Sequence, residues 1–239
     1  MKLYDAIIDR TEAVLSGSEG VCFPFDRSRI WKDAGASELV MRADAAFELG
    51  GSGTDSVNYT CVTTSDRIRE DQVIVYGPDL PGISRDSAFA RIVFLETEDL
   101  GEQEDEERAY RTIRNIEYVK YHIFPVGYMV RVSSLSHQEQ VRISRKAHRG
   151  GIRFSYVGAA YIRKYKEIPG VKHVRILFLT EPELVKKLLP LAEKTEEITR
   201  TLTHILEGVD TDCGHCSMKE VCDEVEGMRE LHLGKRRQT

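Results

Sequence analysis

The sequence predicts an α+β protein: a mixed or antiparallel sheet with helices packed on it in layers, followed by a helical carboxyl-terminal region that carries a cysteine cluster. Two observations lead to this class. β-Type runs rich in Val, Ile, Tyr and Phe follow one another through the first hundred residues, and helical periods stand at both ends of the chain and between the later strands. A hydrophobic content of 41% in 239 residues is enough to build an ordinary core.

The elements follow in order. Residues 3 to 16 place Leu3, Ile7, Ile8, Val14 and Leu15 at helical spacing with no Gly or Pro, which predicts a short amphipathic helix. The next stretch, "SGSEGVCFPFDRSRIWKDAGAS", is punctuated by Gly, Ser and Pro and reads as a loop, packed on the body through Phe23, Phe25 and Trp31. "SELVMRA" and "SVNYTCVTT" read as strands on either side of "FELGGSGTD", whose Gly50, Gly51 and Gly53 suit a turn or bulge with positive φ. "QVIVYGPDLPG" and "FARIVFLETE" add two more. The acidic run ahead of "DEERAYRTIRNIEYVKYHI" predicts a helix whose carboxylates oppose the positive end of its dipole. "YMVRVSS" reads as a strand, "SHQEQVRISRKAHRGG" as a helix stopped by Gly150 and Gly151, "IRFSYVG" and "VRILFLT" as strands around a helical "AAYIRKYKEI". Residues 183 to 206 are helical in period, with Pro190 a kink or break. The predicted organisation is a helix and packed loop over 1–44, an α+β domain over 45–207 and a cysteine-rich metal-binding tail over 208–239.

The net charge of −5 conceals a segregation. Eight acids and no base fall between Glu96 and Glu107, and eleven bases against two acids fall between Arg131 and Arg175. The basic field argues for an anionic partner at that surface. Its densest part holds Arg142, Arg145, Lys146 and Arg149, next to Gly150 and Gly151, whose backbone amides suit a phosphate. A phosphorylated, nucleotide-like ligand fits. Nucleic acid does not, because the chain is acidic overall and lacks aromatic residues interleaved with the bases. A solvated helix face is the plainer alternative.

No stretch reaches the ~18 consecutive apolar residues of a membrane span, and acids interrupt the first residues, so neither a membrane anchor nor a signal peptide is expected and a cytoplasmic location is. Five cysteines are an odd number and no disulfide framework. Cys213 and Cys216 form a C-x2-C pair, with Cys222 close behind; this spacing serves both tetrahedral zinc and iron-sulfur clusters. A fourth ligand is open among Cys22, Cys61, His215, His232, Asp223 and an exogenous molecule. On spacing alone zinc and iron-sulfur stand level, and three reduced thiols are the bland reading. The remaining histidines pair with no nucleophile by spacing, and there is no Walker loop, G-x-G-x-x-G or G-x-S-x-G.

Taken together and in order, "AAFELGGSGTDSVNYTCV", "QVIVYGPDLPGI", "VRISRKAHRGGIRFSYVG" and "VRILFLTEPELVKK" resemble the central α+β domain of the beta subunit of the carbon monoxide dehydrogenase/acetyl-CoA synthase complex, over roughly residues 45 to 222. That family joins a methyl group from a corrinoid iron-sulfur protein, carbon monoxide and coenzyme A into acetyl-CoA at a nickel-iron-sulfur centre. The resemblance implies that Cys213, Cys216 and Cys222 hold an iron-sulfur cluster, a 4Fe-4S one by analogy, with zinc the alternative. It also implies that the basic residues take coenzyme A, and that the partners are the corrinoid iron-sulfur protein, a methyltransferase or carbon monoxide dehydrogenase components. The departures point away from the full reaction: the family's longer spacing to a third and fourth Cys and its nickel-bearing Cys-Gly-Cys element have no counterpart here. An accessory or partner-binding role is the expectation. An acyltransferase component with an open-site cluster, and a structural zinc site, are the alternatives.

Overall fold

A computed structural model describes residues 4–51, 53–98, 106–132 and 139–207. Eight strands and five helices lie in these segments. Helix α1 (Asp5–Leu15) opens the chain, and strand β1 (Gly20–Pro24) follows it. Then come β2 (Ala45–Leu49), β3 (Ser56–Thr63), β4 (Gln72–Tyr76) and β5 (Phe89–Thr97). Helix α2 (Glu106–Tyr121), strands β6 (Tyr128–Val132) and β7 (Glu139–Ser144), and helices α3 (Arg145–Arg149) and α4 (Phe154–Tyr165) succeed them. Strand β8 (Val171–Leu179) and helix α5 (Pro182–Glu207) complete the described chain.

The larger sheet runs β1-β4-β8-β5-β3, with β4–β8 and β3–β5 parallel and the other neighbours antiparallel, so it is mixed. A second, antiparallel sheet runs β2-β7-β6. The expected α+β class is the observed one. Strands β5 and β8 sit inside the larger sheet, which is why all nine residues of β5 are buried and its run carries little alternation.

Side chains alternate across a strand, and the helices divide accordingly. On one face α4 lies against β4 and β8, its turn "VGAA" bringing the backbone close: a Cβ on Gly158 would overlap Val73 and crowd Phe178. On the other face lie α1 and α5. Thr11 of α1 meets the Tyr59 hydroxyl at 2.7 Å, Thr63 donates to Asp5 at 2.6 Å, and Tyr4 joins Thr199 of α5 at 2.9 Å.

Four local expectations are corrected, and of the kink or break expected at Pro190 the break does not occur. The segment read as a loop contributes β1, whose register with β4 pairs Gly20 with Tyr76 and Pro24 with Gln72. "SELVMRA" forms no strand: Leu39 and Met41 are exposed, Val40 alone turns inward, and a 3-10 turn spans Arg42–Asp44. "EQVRIS" is the strand β7, buried at Glu139, Val141 and Ile143 in strict alternation, and only "RKAHR" is helical. "IRFSYVG" enters a helix at Phe154. Helix α5 runs through Pro190 without a break.

Candidate functional site

The four basic residues singled out by the sequence do not form one group. Arg142 lies on β7 and is half-buried; its Nε is ion-paired with Glu48, itself only 5% exposed, and its Nη1 donates to the Val40 carbonyl at 3.2 Å. It ties β7 to β2 and to the segment ahead of it. Arg145, Lys146 and Arg149 lie on α3 and are exposed. The expectation that the amides of Gly150 and Gly151 are open to a phosphate is also corrected. Gly150 N donates to Lys146 O at 2.9 Å and Gly151 N to His148 O at 3.1 Å, because they close the end of α3.

Helix α3 starts where Ser144 caps it, its Oγ accepting from Ala147 N at 3.1 Å. Gly127, at φ +72°, passes so close that a Cβ there would overlap both Ser144 Oγ and Ala147. Glycine is required on two counts, handedness and space. The same approach brings in residues 31–34, which run beside 124–126: Val126 N donates to Lys32 O at 2.8 Å and Ala34 N to Phe124 O at 2.8 Å. Trp31 is fixed by its indole Nε1, which donates to Val126 O at 2.9 Å.

These contacts enclose a groove of about 880 Å³ between Trp31 and α3. Arg29, Trp31, Lys32, Lys146 and Gly150 line it, together with Asp44 and with Glu38, whose carboxylate accepts from Gly127 N at 2.8 Å. An indole lining the same groove as Lys32, Lys146 and Arg29, the last paired with Asp26 at 3.4 Å, can stack a flat ring while the ammonium groups attract a phosphate. The sequence reading missed Arg29, Trp31 and Lys32, since nothing local in a loop a hundred residues before α3 signals the contact. The one legible sign was that this loop carries large aromatics and packs on the body. Nearby, Tyr128 is buried and the Met129 sulfur accepts from Val40 N at 3.2 Å, so both play structural parts.

Cys213, Cys216 and Cys222 lie outside the described residues, as do His215, Asp223 and His232. Among the described residues no group of three or more Cys, His, Asp or Glu could hold a metal. Of the two other thiols, Cys61 is fully buried on β3, and burial pushes its pKa well up; it does not suit a shared ligand. Cys22 is exposed, donating to Gln72 Oε1 at 2.8 Å. Of these two it is the accessible candidate for a fourth ligand. Among the described residues no helix is long and apolar enough to cross a membrane.

Comparison with known proteins matches residues 31–185 to the family model described as the CO dehydrogenase/acetyl-CoA synthase complex beta subunit. The matched stretch begins at Trp31 and ends inside α5, so it takes in seven of the eight strands and most of the groove's lining, but not Ser28, Arg29 and Ile30. A curated relative, the acetyl-CoA decarbonylase/synthase complex subunit beta of Archaeoglobus fulgidus, is 27% identical over 176 residues, which is 70% of this chain and 30% of the relative. The chain thus spans less than a third of that relative's length. With about two thirds of its residues matched by the family model, in agreement with the order of segments in its sequence, the chain belongs to the CO dehydrogenase/acetyl-CoA synthase complex beta subunit family.

Proposed function

We propose that this chain is an accessory, partner-binding component of carbon monoxide and acetyl-CoA metabolism, which holds coenzyme A in the groove between Trp31 and α3. The observation that carries the reading is the meeting of an indole with Arg29, Lys32 and Lys146 in one groove, with Arg145 and Arg149 exposed on the adjoining helix. Coenzyme A offers the matching chemistry, an adenine ring to stack and phosphates to pair with cations. Trp31 is the sole tryptophan and therefore a direct reporter. Titration with coenzyme A should change its fluorescence saturably. Neutralising Lys32 and Lys146 together, both of which line the groove, should weaken binding by about 1–3 kcal/mol per lost charge-assisted contact. An unchanged titration in that double variant removes the assignment.

The family match ends before the cysteines, so the cluster rests on its own spacing and on the order of segments that leads up to it. In this reading Cys213, Cys216 and Cys222 hold an iron-sulfur cluster and present it to a corrinoid iron-sulfur protein, a methyltransferase or a carbon monoxide dehydrogenase component. When bound, such a cluster supplies electron transfer or a Lewis-acidic iron. Protein purified without oxygen should contain about four iron and four sulfide per chain. One zinc and no sulfide would make the site a structural staple instead.

A further inference from the structure

The peptide unit that joins Val126 to Gly127 lines the Trp31 groove and is held at both of its polar groups. Its carbonyl accepts from the Trp31 indole nitrogen at 2.9 Å, and its N–H donates to the Glu38 carboxylate at 2.8 Å. The carbonyl and N–H of a trans peptide point in opposite directions. Trp31 and the segment that begins at Glu38 therefore stand on opposite sides of this unit. Across it, the indole nitrogen and the carboxylate oxygen are about 8 Å apart or less. A single flat ring in van der Waals contact on both faces needs about 7–8 Å.

On the Glu38 side the groove is lined by Leu39, which at 77% is the most exposed of the large hydrophobic residues described. A lone exposed leucine means little. Leu39, however, is held from both sides. Glu38 before it is fixed by Gly127, and Val40 after it is buried, with its N donating to the Met129 sulfur at 3.2 Å and its carbonyl accepting from Arg142 Nη1 at 3.2 Å. Arg142 is in turn ion-paired with Glu48, so the anchor leads back to β7 and β2. Residues 37–41 belong to no helix or strand, and these contacts set their position. The leucine is thus presented at the groove on backbone that is already ordered, and its ordering does not count against binding. Lys32 and Lys146 line the same groove and supply the cations.

We propose that Leu39 covers the outer face of a ring stacked on Trp31, so that the groove prefers a phosphorylated purine ligand to phosphate alone. This rests on the reading of the groove as a ring-and-phosphate site, with coenzyme A its named ligand, and adds the residue that selects the ring. Coenzyme A, adenosine 3′,5′-bisphosphate and pyrophosphate are titrated by calorimetry into the full chain and its Leu39→Ala and Leu39→Met variants, with Trp31 fluorescence read alongside. The parent should bind the bisphosphate more tightly than pyrophosphate. Leu39→Ala should weaken coenzyme A and the bisphosphate about five- to tenfold, the scale of one to two CH₂ groups left unburied, and should leave pyrophosphate unchanged. Leu39→Met, of similar volume, should stay within about twofold of the parent. Leu39 is exposed, so neither change opens a cavity in the core, and unchanged pyrophosphate binding reports an intact groove. Saturable coenzyme A binding that Leu39→Ala leaves unaltered overturns the proposal and spares the coenzyme A reading. A Leu39-dependent bisphosphate response without any coenzyme A binding keeps the proposal and removes that reading. A parallel loss of pyrophosphate in Leu39→Ala, equal affinity of the parent for bisphosphate and pyrophosphate, or no saturation with any probe would each overturn the proposal.

Discussion

At the scale of the residue, four arginines and lysines that look alike in the sequence have unlike surroundings. Arg142 faces Glu48 within the protein, and Arg131 reaches the same carboxylate only at 3.7 Å from a more exposed position. Removing Arg142 strands a buried charge, whereas removing Arg145 strands nothing. We expect Arg142→Ala to lower stability by about 1–3 kcal/mol in urea denaturation, and Arg145→Ala to stay within about 0.5 kcal/mol of the parent. The order reversed would mean that the Glu48 pair is solvated and that α3 carries the structure. Glycine makes the same point. Gly127 and Gly158 are each fixed by a neighbour's atoms, Ser144 and Ala147 in one case and Val73 in the other, and such demands leave no local trace in a sequence.

At the scale of the element, most of the fold was legible, and the failures share a cause. Strands β3, β4, β5 and β8 announce themselves through β-branched and aromatic runs bounded by turn residues, and α1 and α5 through long helical periods. Strand β7 was hidden because "QVRIS" runs directly into "RKAHR". Val141 and Ile143 stand two apart, a strand spacing, and Ile143 and Ala147 four apart, a helical one, so one period passes into the other with no turn residue between them. The buried positions at 139, 141 and 143 decide it, and they include Glu139, which no hydrophobicity pattern would place inside. Its burial is explained only by Arg91, forty-eight residues away on another strand. Helix α4 misled in the opposite sense, since Phe154, Tyr156 and Val157 have strand propensity while the following Gly158, Ala159 and Ala160 suit close helix-on-sheet packing. The groove was legible by half: α3 was visible as a basic field, and Trp31 was not, because the contact with Val126 joins segments ninety-five residues apart.

At the scale of the whole molecule, buried phenols are spread through every layer. Tyr4 and Tyr59 lie between the sheet and the helices α1 and α5, Tyr161 and Tyr165 lie on α4 against the opposite face, and Tyr128 belongs to the smaller sheet. Burial raises the pKa of all five; Tyr161 is pushed up to about 12 even with the Arg91 cation beside it. In the unfolded chain these phenols titrate near their ordinary value of about 10. Between that value and the folded one the native state binds more protons than the unfolded state, so stability falls as pH rises. The contribution is fully present below about pH 10 and drains away above it, on the order of 2–3 kcal/mol by pH 12 for Tyr161 alone. Because the phenols come from all layers, both faces of the sheet should give way in one transition instead of one helix fraying first. The urea midpoint should be level through neutral and mildly alkaline pH and then drop steeply above about pH 10. Tyr161→Phe should flatten part of that drop, since its ring keeps the packing and has no proton to lose. A midpoint indifferent to alkaline pH, or a drop of equal depth in Tyr161→Phe, would show that these hydroxyls reach solvent and that α4 does not seal the face it covers.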